Sequence, residues 1–301
     1  MKKNLLYTIV STALVIYAIS FVFTILGSTR NSSNQNKTDT LKIPVSDTNG
    51  SFRLLPGHDT VICLNNREVV IRVAVKNKKK GTYLVLHGWN FPPEDWCTKT
   101  TLCKKIVESG YCIVLPDMGK SIYQERVFPV TRVDWKNTPT RRWLTDTLIP
   151  FLQKNYSLLL LNENNFIVGL STGARGVALV ALDLPALFKG AAALSGDYNQ
   201  SAIPHDNLSI GFYGPYRKFK KRWDTIDNAV YRVKEFCTPI YLGHGTSDKV
   251  VPPGQTELFY DSLVKYHPQL KIRLHMPKAG HDYIYWGSEV ENILNFFNEV
   301  N

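Results

Sequence analysis

Ser171 stands in Gly169-Leu170-Ser171-Thr172-Gly173, directly after the apolar run Phe166-Ile167-Val168 and directly before Ala174-Arg175-Gly176-Val177-Ala178-Leu179-Val180, which has helical composition. The pattern predicts a strand, a sharp turn and a helix, with the serine at the corner. Glycines flank such a turn because backbone segments pass too close for a Cβ, and the serine at its apex takes strained angles that hold its hydroxyl clear of the sheet. A hydroxyl so posed becomes a nucleophile once a base accepts its proton. The G-x-S-x-G spacing alone is common in small-residue turns; the strand before it and the helix after it supply the required context.

The base should be an imidazole, held in one tautomer by a buried carboxylate. Thr238-Pro239-Ile240-Tyr241-Leu242-Gly243 reads as a buried strand and runs into His244-Gly245-Thr246-Ser247-Asp248. Asp248 therefore falls on a loop past the carboxyl end of a strand, where open α/β sheets place their chemistry. A last strand, Leu270-Lys271-Ile272-Arg273-Leu274-His275, leads to Pro277-Lys278-Ala279-Gly280-His281-Asp282-Tyr283 and offers His281 as general base. Taken singly, each residue has an ordinary reading. Asp248 would cap a helix beginning near Gly254, and His281 would be a surface loop histidine. Asp197, after the strand Ala191-Ala192-Ala193-Leu194-Ser195-Gly196, and Asp282 are rival carboxylates, though Asp282 adjoins His281 in sequence and is badly placed to face its Nδ1. The joint pattern decides for Asp248 and His281: three loops, each after a strand, in the order serine, acid, histidine.

A tetrahedral intermediate also needs N–H donors aimed at its developing charge. Thr172, next after the serine, offers one main-chain donor. The other is expected from the loop after Tyr83-Leu84-Val85-Leu86, where His87-Gly88-Trp89-Asn90 follows; Trp89 is the candidate, by its backbone, with its indole lining the acyl pocket. His87 is expected to brace backbone near this hole without transferring a proton.

With these residues in place the chain resembles the α/β-hydrolases, and within them the esterase D-like group of serine esterases, which includes tributyrin-type and feruloyl-type esterases, S-formylglutathione hydrolases and mycolyltransferases. The likeness spans about residues 52 to 300. It rests on His87-Gly88-Trp89, on Val114-Leu115-Pro116-Asp117, on Trp143-Leu144-Thr145-Asp146-Thr147-Leu148-Ile149-Pro150 before the elbow, on Leu184-Pro185-Ala186-Leu187-Phe188-Lys189-Gly190-Ala191 after it, and on Gly280-His281-Asp282-Tyr283 with Trp286. The resemblance implies Ser171 as nucleophile, Asp248 as acid and His281 as base. Family elbows commonly read Ser-Met-Gly-Gly, whereas Ser171-Thr172-Gly173-Ala174 puts a methyl group at the fourth position. Gly196 to Thr238, rich in aromatic and basic residues, follows no family pattern.

The elements that must position these residues start at about residue 51. Alternating strands and helices from there to residue 301 imply one α/β domain with a mostly parallel sheet, helices on both faces, and an antiparallel strand pair between Phe52 and Val75 at its edge. Residues 1–27 differ: Lys2 and Lys3 precede an apolar run from Leu5 to Leu26, long enough to span a bilayer as a helix, given a need for about 20 residues. The leading charge predicts a cytoplasmic N-terminus and an exported remainder, membrane-anchored, or secreted if cut near Ala18 and Ser20. Residues 28–50, dominated by Asn, Ser, Thr, Gln and Lys, read as a disordered linker.

The net charge of +11 is partly clustered, at Lys76, Lys78, Lys79 and Lys80 and again at Arg217, Lys218, Lys220, Lys221 and Arg222. The first cluster reads as a solvated turn. The second reads equally as a solvated face or as a surface for an anionic membrane, polymer or acidic substrate. No nucleic-acid-binding module accompanies the charge. The cysteines at 63, 97, 103, 112 and 237 have neither zinc nor redox-pair spacing. Cys97 and Cys103 are candidates for a bridge in an oxidising compartment, and Cys112 reads as a small buried hydrophobe. No cofactor or metal is expected. The expected activity is cleavage of a small-molecule or polymer-linked carboxylic ester through an acyl-enzyme. Acyl transfer to an envelope sugar or lipid hydroxyl by the same residues, and a silent envelope-binding module, are the alternatives.

Overall fold

Uninterrupted runs of aliphatic and aromatic residues build the central strands, and their alternation sends side chains to two separate cores. The computed structural model describes residues 45–46, 52–75 and 79–301. A two-residue antiparallel pair, β1 (Val45–Ser46) and β2 (Phe52–Arg53), precedes the main sheet. The chain continues through β3 (Asp59–Leu64), β4 (Arg67–Arg72), β5 (Thr82–Leu86), α1 (Asp95–Lys99), α2 (Leu102–Glu108), β6 (Cys112–Pro116), α3 (Ile149–Tyr156) and β7 (Phe166–Leu170). After the elbow follow α4 (Thr172–Asp183), β8 (Gly190–Leu194), α5 (Asn207–Tyr213), α6 (Tyr216–Trp223), β9 (Ile240–Gly243), α7 (Gly254–Tyr266), β10 (Ile272–His275), α8 (Tyr283–Ser288) and α9 (Val290–Val300).

The eight-stranded sheet has the order β3-β4-β6-β5-β7-β8-β9-β10. Strands β5 to β10 are mutually parallel, while β4 runs antiparallel to β6 and β3 to β4, so the expected antiparallel pair does form the edge. In β5, Leu84 and Leu86 enter one core and Tyr83 and Val85 the other; in β8, Ala191 and Ala193 part from Ala192 and Leu194 in the same way. Burial on both faces is what a parallel sheet under two helical layers requires. The first core packs under α3, α4 and α7, and the second under α2 and α9.

From β5 the chain crosses to β6 on one side and later returns to β7 on the other. That reversal opens a crevice beyond the carboxyl ends of β5 and β7, where the fold places ligands. The turns after these two strands carry Trp89 and Ser171. Before α3, residues Trp143–Leu148 form a widened, π-type turn. Pro150 explains it, having no N–H to donate back and a ring that crowds the carbonyl four residues earlier.

Cys97, in α1, is bridged to Cys103, in α2, and Cys112 is buried in β6, where burial pushes its thiol pKa up. Among the described residues no helix is long and apolar enough to cross a membrane. The apolar run from Leu5 to Leu26, nearly all of the expected linker, and Lys76 and Lys78 lie outside the described residues.

Candidate active site

The elbow is tight in two places. A Cβ on Gly169 would come 2.4 Å from the carbonyl oxygen of Gly173, and one on Gly173 would come 2.6 Å from that of His87. Only glycine allows β7, the start of α4 and the turn after β5 to meet so closely. Ser171 itself has φ 54° and ψ −126°, an uncommon region for a residue with a Cβ and the strained apex expected from the motif. Its N–H bonds to the Leu194 carbonyl at 2.8 Å, tying the turn to the neighbouring strand.

His281 Nε2 lies 3.0 Å from Ser171 Oγ, and His281 Nδ1 lies 2.6 Å from Asp248 Oδ2. The carboxylate accepts Nδ1–H, which leaves Nε2 as the acceptor facing the serine hydroxyl. Trp286 stands edge-to-face against the ring at 5.1 Å and limits its tilt. Asp248 Oδ1 accepts from the N–H groups of Val250 (2.7 Å) and Val251 (3.0 Å). These bonds fold the loop around the carboxylate, and α7 starts at Gly254 without Asp248 as its cap. Burial pushes the Asp248 pKa up, but hydrogen bonds from His244, His281 and the two backbone N–H groups outweigh it and hold the carboxyl well below its usual range. The rivals are engaged elsewhere. Asp282 caps α8 by accepting from Tyr285 N–H at 2.9 Å, and Asp197 accepts from Gln200 Nε2 at 3.0 Å.

The turn after β5 lies against the serine: a Cβ on Gly88 would sit 3.1 Å from Ser171 Cβ. Trp89 and Thr172 line the same cleft as Ser171 and His281. Among the described residues neither of their backbone N–H groups takes a hydrogen-bond partner, so both remain available to an oxygen in the cleft. His87 is buried beneath the turn, with Nδ1 2.6 Å from the Gly88 carbonyl and Nε2 accepting Met118 N–H at 2.8 Å. Burial lowers its pKa, so it is a neutral brace between two loops. The cleft encloses about 580 Å³, with Trp89, Phe91, Ile122, Ile203 and Leu208 among its apolar walls.

A family model described as "Putative esterase" matches residues 65–297. The chain belongs to this esterase family. It is a carboxylic ester hydrolase of the α/β-hydrolase fold. Solved structures share the fold at low identity. Fluorophosphonate-binding serine hydrolase F of Staphylococcus aureus is 15% identical with a TM-score of 0.65, covering 82% of this chain and 99% of its own. An S-formylglutathione hydrolase from Agrobacterium tumefaciens is 17% identical (TM-score 0.62; 77% and 89% covered), and MPT51 (FbpC1) of Mycobacterium tuberculosis is 16% identical (TM-score 0.61; 78% and 94% covered). A search of curated proteins finds no match.

In this esterase the segment after β8, without pattern in the sequence, carries α5 and α6 and closes one side of the cleft through Ile203, Asp206, Leu208 and Ser209. Its aromatic residues Phe212, Tyr213 and Trp223 form a third core with Ile122 and Trp135, against which Trp89 packs. A buried ionic chain fastens it down. Asp227 Oδ1 accepts from Arg141 at 2.6 Å, Asp227 Oδ2 accepts from the Tyr213 hydroxyl at 3.1 Å, and that hydroxyl accepts from Arg175 at 2.6 Å. Of the basic cluster on α6, Lys220 pairs with Asp224, and the Arg222 guanidinium lies 3.8 Å over the Phe219 ring while donating to the Tyr213 carbonyl. Lys79, from the first cluster, pairs with Glu163.

Sequence reasoning missed His244, Arg175 and Asp227. His244 is fully buried, with Nε2 3.2 Å from Asp248 Oδ2 and Nδ1 2.7 Å from Thr256 Oγ1, so two imidazoles share one carboxylate oxygen. The signal was present: His244-Gly245 directly follows a buried strand, as His87-Gly88 does. Arg175 and Asp227 left no such mark, since a helix interior and a polar turn are ordinary places for charge.

Proposed function

We propose that the esterase works through an acyl-enzyme, with Ser171 as nucleophile, His281 as general base and acid, Asp248 as the carboxylate that orients His281, and the N–H groups of Thr172 and Trp89 as the oxyanion hole. Ser171 Oγ attacks the ester carbonyl while its proton passes to His281 Nε2. The two N–H donors receive the negative oxygen of the tetrahedral intermediate. Its collapse expels the alcohol, which takes the proton from His281. Water then repeats the sequence, giving its proton to His281 and releasing the acid and free Ser171. Asp248, held ionised by its four hydrogen bonds, stabilises the imidazolium that forms twice per turnover. The observation carrying this reading is the continuous chain of contacts, 3.0 Å from serine to imidazole and 2.6 Å from imidazole to carboxylate.

The test is hydrolysis of a short-acyl 4-nitrophenyl ester together with fluorophosphonate labelling. Ser171→Ala is expected to lose turnover by about 10⁴-fold or more and to lose the label. Unchanged turnover in a folded Ser171→Ala protein would overturn the reading. We further propose export, with the catalytic domain outside the cytoplasm and residues 5–26 as anchor. The basic residues ahead of the apolar run and the Cys97–Cys103 bridge, at home in an oxidising compartment, support it. Digestion by protease added to intact cells checks the topology, and full protection would overturn it.

A further inference from the structure

In the loop that leaves the carboxyl end of β6, Tyr123 is wholly buried and has φ 56°. A bulky side chain in the left-handed region is costly and persists only where its surroundings hold it there. Here they hold it from both ends. Its N–H donates to Ser121 Oγ at 2.9 Å, and its carbonyl accepts from Arg141 Nη1 at 3.2 Å. The ring lies so close to α4 that a Cβ on Gly176 would come 2.6 Å from it. Held in this way, the side chain donates its hydroxyl to the His87 carbonyl at 2.8 Å. Burial keeps the phenol pKa well above its ordinary value, so the hydroxyl retains its proton.

The His87 carbonyl opens the turn that carries the Trp89 N–H. A peptide unit is planar and trans, so the direction of each carbonyl fixes that of the N–H on the next residue. The Gly88 carbonyl, in one unit with Trp89 N–H, accepts from His87 Nδ1–H at 2.6 Å and from Phe91 N–H at 3.2 Å. The His87 carbonyl, in one unit with Gly88 N–H, is held by Tyr123. Glycine between the two units resists rotation least of all residues, so both planes need pins from outside. The imidazole that pins the second plane is itself attached to the first.

We propose that Tyr123 is a positioning residue for the oxyanion hole, its hydroxyl fixing the peptide unit from which the Trp89 N–H is aimed at the substrate's carbonyl oxygen. The proposal rests on the reading of Ser171 as nucleophile with Thr172 and Trp89 as donors. Tyr123 is not among the residues lining the cleft, so it acts only through His87.

Tyr123→Phe deletes the hydroxyl and leaves the ring. The full-length variant is assayed on a short-acyl 4-nitrophenyl ester and on the matching thionoester, in which sulfur replaces the carbonyl oxygen. Sulfur accepts hydrogen bonds weakly, so the thionoester gains little from the hole. The variant should lose about tenfold in kcat on the oxygen ester, less than removal of a whole donor costs, with KM within about twofold of wild type. The oxygen-to-sulfur ratio of kcat/KM should fall by about the same factor. A folded variant that keeps the wild-type ratio would overturn the proposal whatever its activity, because general loosening slows both esters alike. A second measurement keeps the hydroxyl: a ring-fluorinated tyrosine at position 123 reports the bond through its fluorine resonance. Phosphonylation of Ser171 by a fluorophosphonate sets a phosphoryl oxygen on the donors, and the resonance should move. A resonance that stays fixed would overturn the proposal even where Tyr123→Phe does not fold. A wild-type protein that neither cleaves the oxygen ester nor takes the label would instead overturn the serine reading, and this proposal with it.

Discussion

The Asp248 loop and the segment from Asp197 to Asp227 both hold buried carboxylates near the cleft, and they do so by different physics. Asp248 is wrapped by its neighbours, accepting from Val250 and Val251 two and three positions on and lying 3.2 Å from His244 four positions back. Asp227 is held from far away, by Arg141 eighty-six positions earlier, while its own carbonyl accepts from Arg175 fifty-two positions earlier. A locally wrapped group keeps its geometry whatever covers it. A remotely paired one decides whether the cover sits down at all. The first region is suited to a reaction that must not vary, and the second to a substrate preference that can.

The comparison breaks most visibly at Asp248. Asp248→Asn should cost about 10⁴-fold in kcat by leaving His281 in the wrong tautomer, while the protein stays folded; steady-state kinetics beside a melting curve checks both halves. A loss of folding as large as the loss of activity would erase the distinction. Next in size is Asp227→Asn. Removing one member of a buried ionic chain is expected to cost about 3 kcal/mol in denaturant unfolding and to raise KM more than it lowers kcat. The double substitution Arg141→Met with Asp227→Leu should recover part of that stability, because Asp183, the other carboxylate bound to Arg141, still pairs with Arg232 at 2.8 Å. The smallest effect sharpens the contrast. The depressed Asp248 carboxyl contributes stability that is complete above its unfolded pKa of about 3.9 and is lost as pH falls through its lower folded value. The difference in Tm between wild type and Asp248→Asn should hold steady down to about pH 4 and narrow only below it. Narrowing that starts near neutrality would contradict the bonding around this carboxylate.

The same division explains which parts of the molecule are legible in the amino-acid sequence. Ser171, Asp248 and His281 each follow a strand whose apolar run is plain, so position along the chain gives position on the sheet's rim, and the structure brings the three side chains into hydrogen-bonding reach. The antiparallel edge and the parallel core were legible for the same reason, since β3 to β10 are read from period and composition. His244 was hidden by proximity, sharing a loop with the residue that drew attention. Arg175 has the look of a helix residue facing solvent, yet it is 1% exposed, because α4 is covered on every side. The segment from Gly196 to Thr238 resisted reading because its aromatic residues pack on Trp135, Ile122 and Trp89 from distant parts of the chain, and no local period records such an arrangement. Of its basic cluster, Lys220 and Arg222 are spent on partners in the same segment.

Ser171 N–H bonds to Leu194, and Ser195 N–H in turn bonds to Gly243, each at 2.8 Å, so the rungs of the sheet run unbroken into the elbow. The Ser171 oxygen is thus carried by the sheet's own ladder. The wall that α5 and α6 form hangs on side-chain pairs instead, so a substitution there can reshape the cleft without moving the serine. Wall and serine can therefore be retuned one at a time.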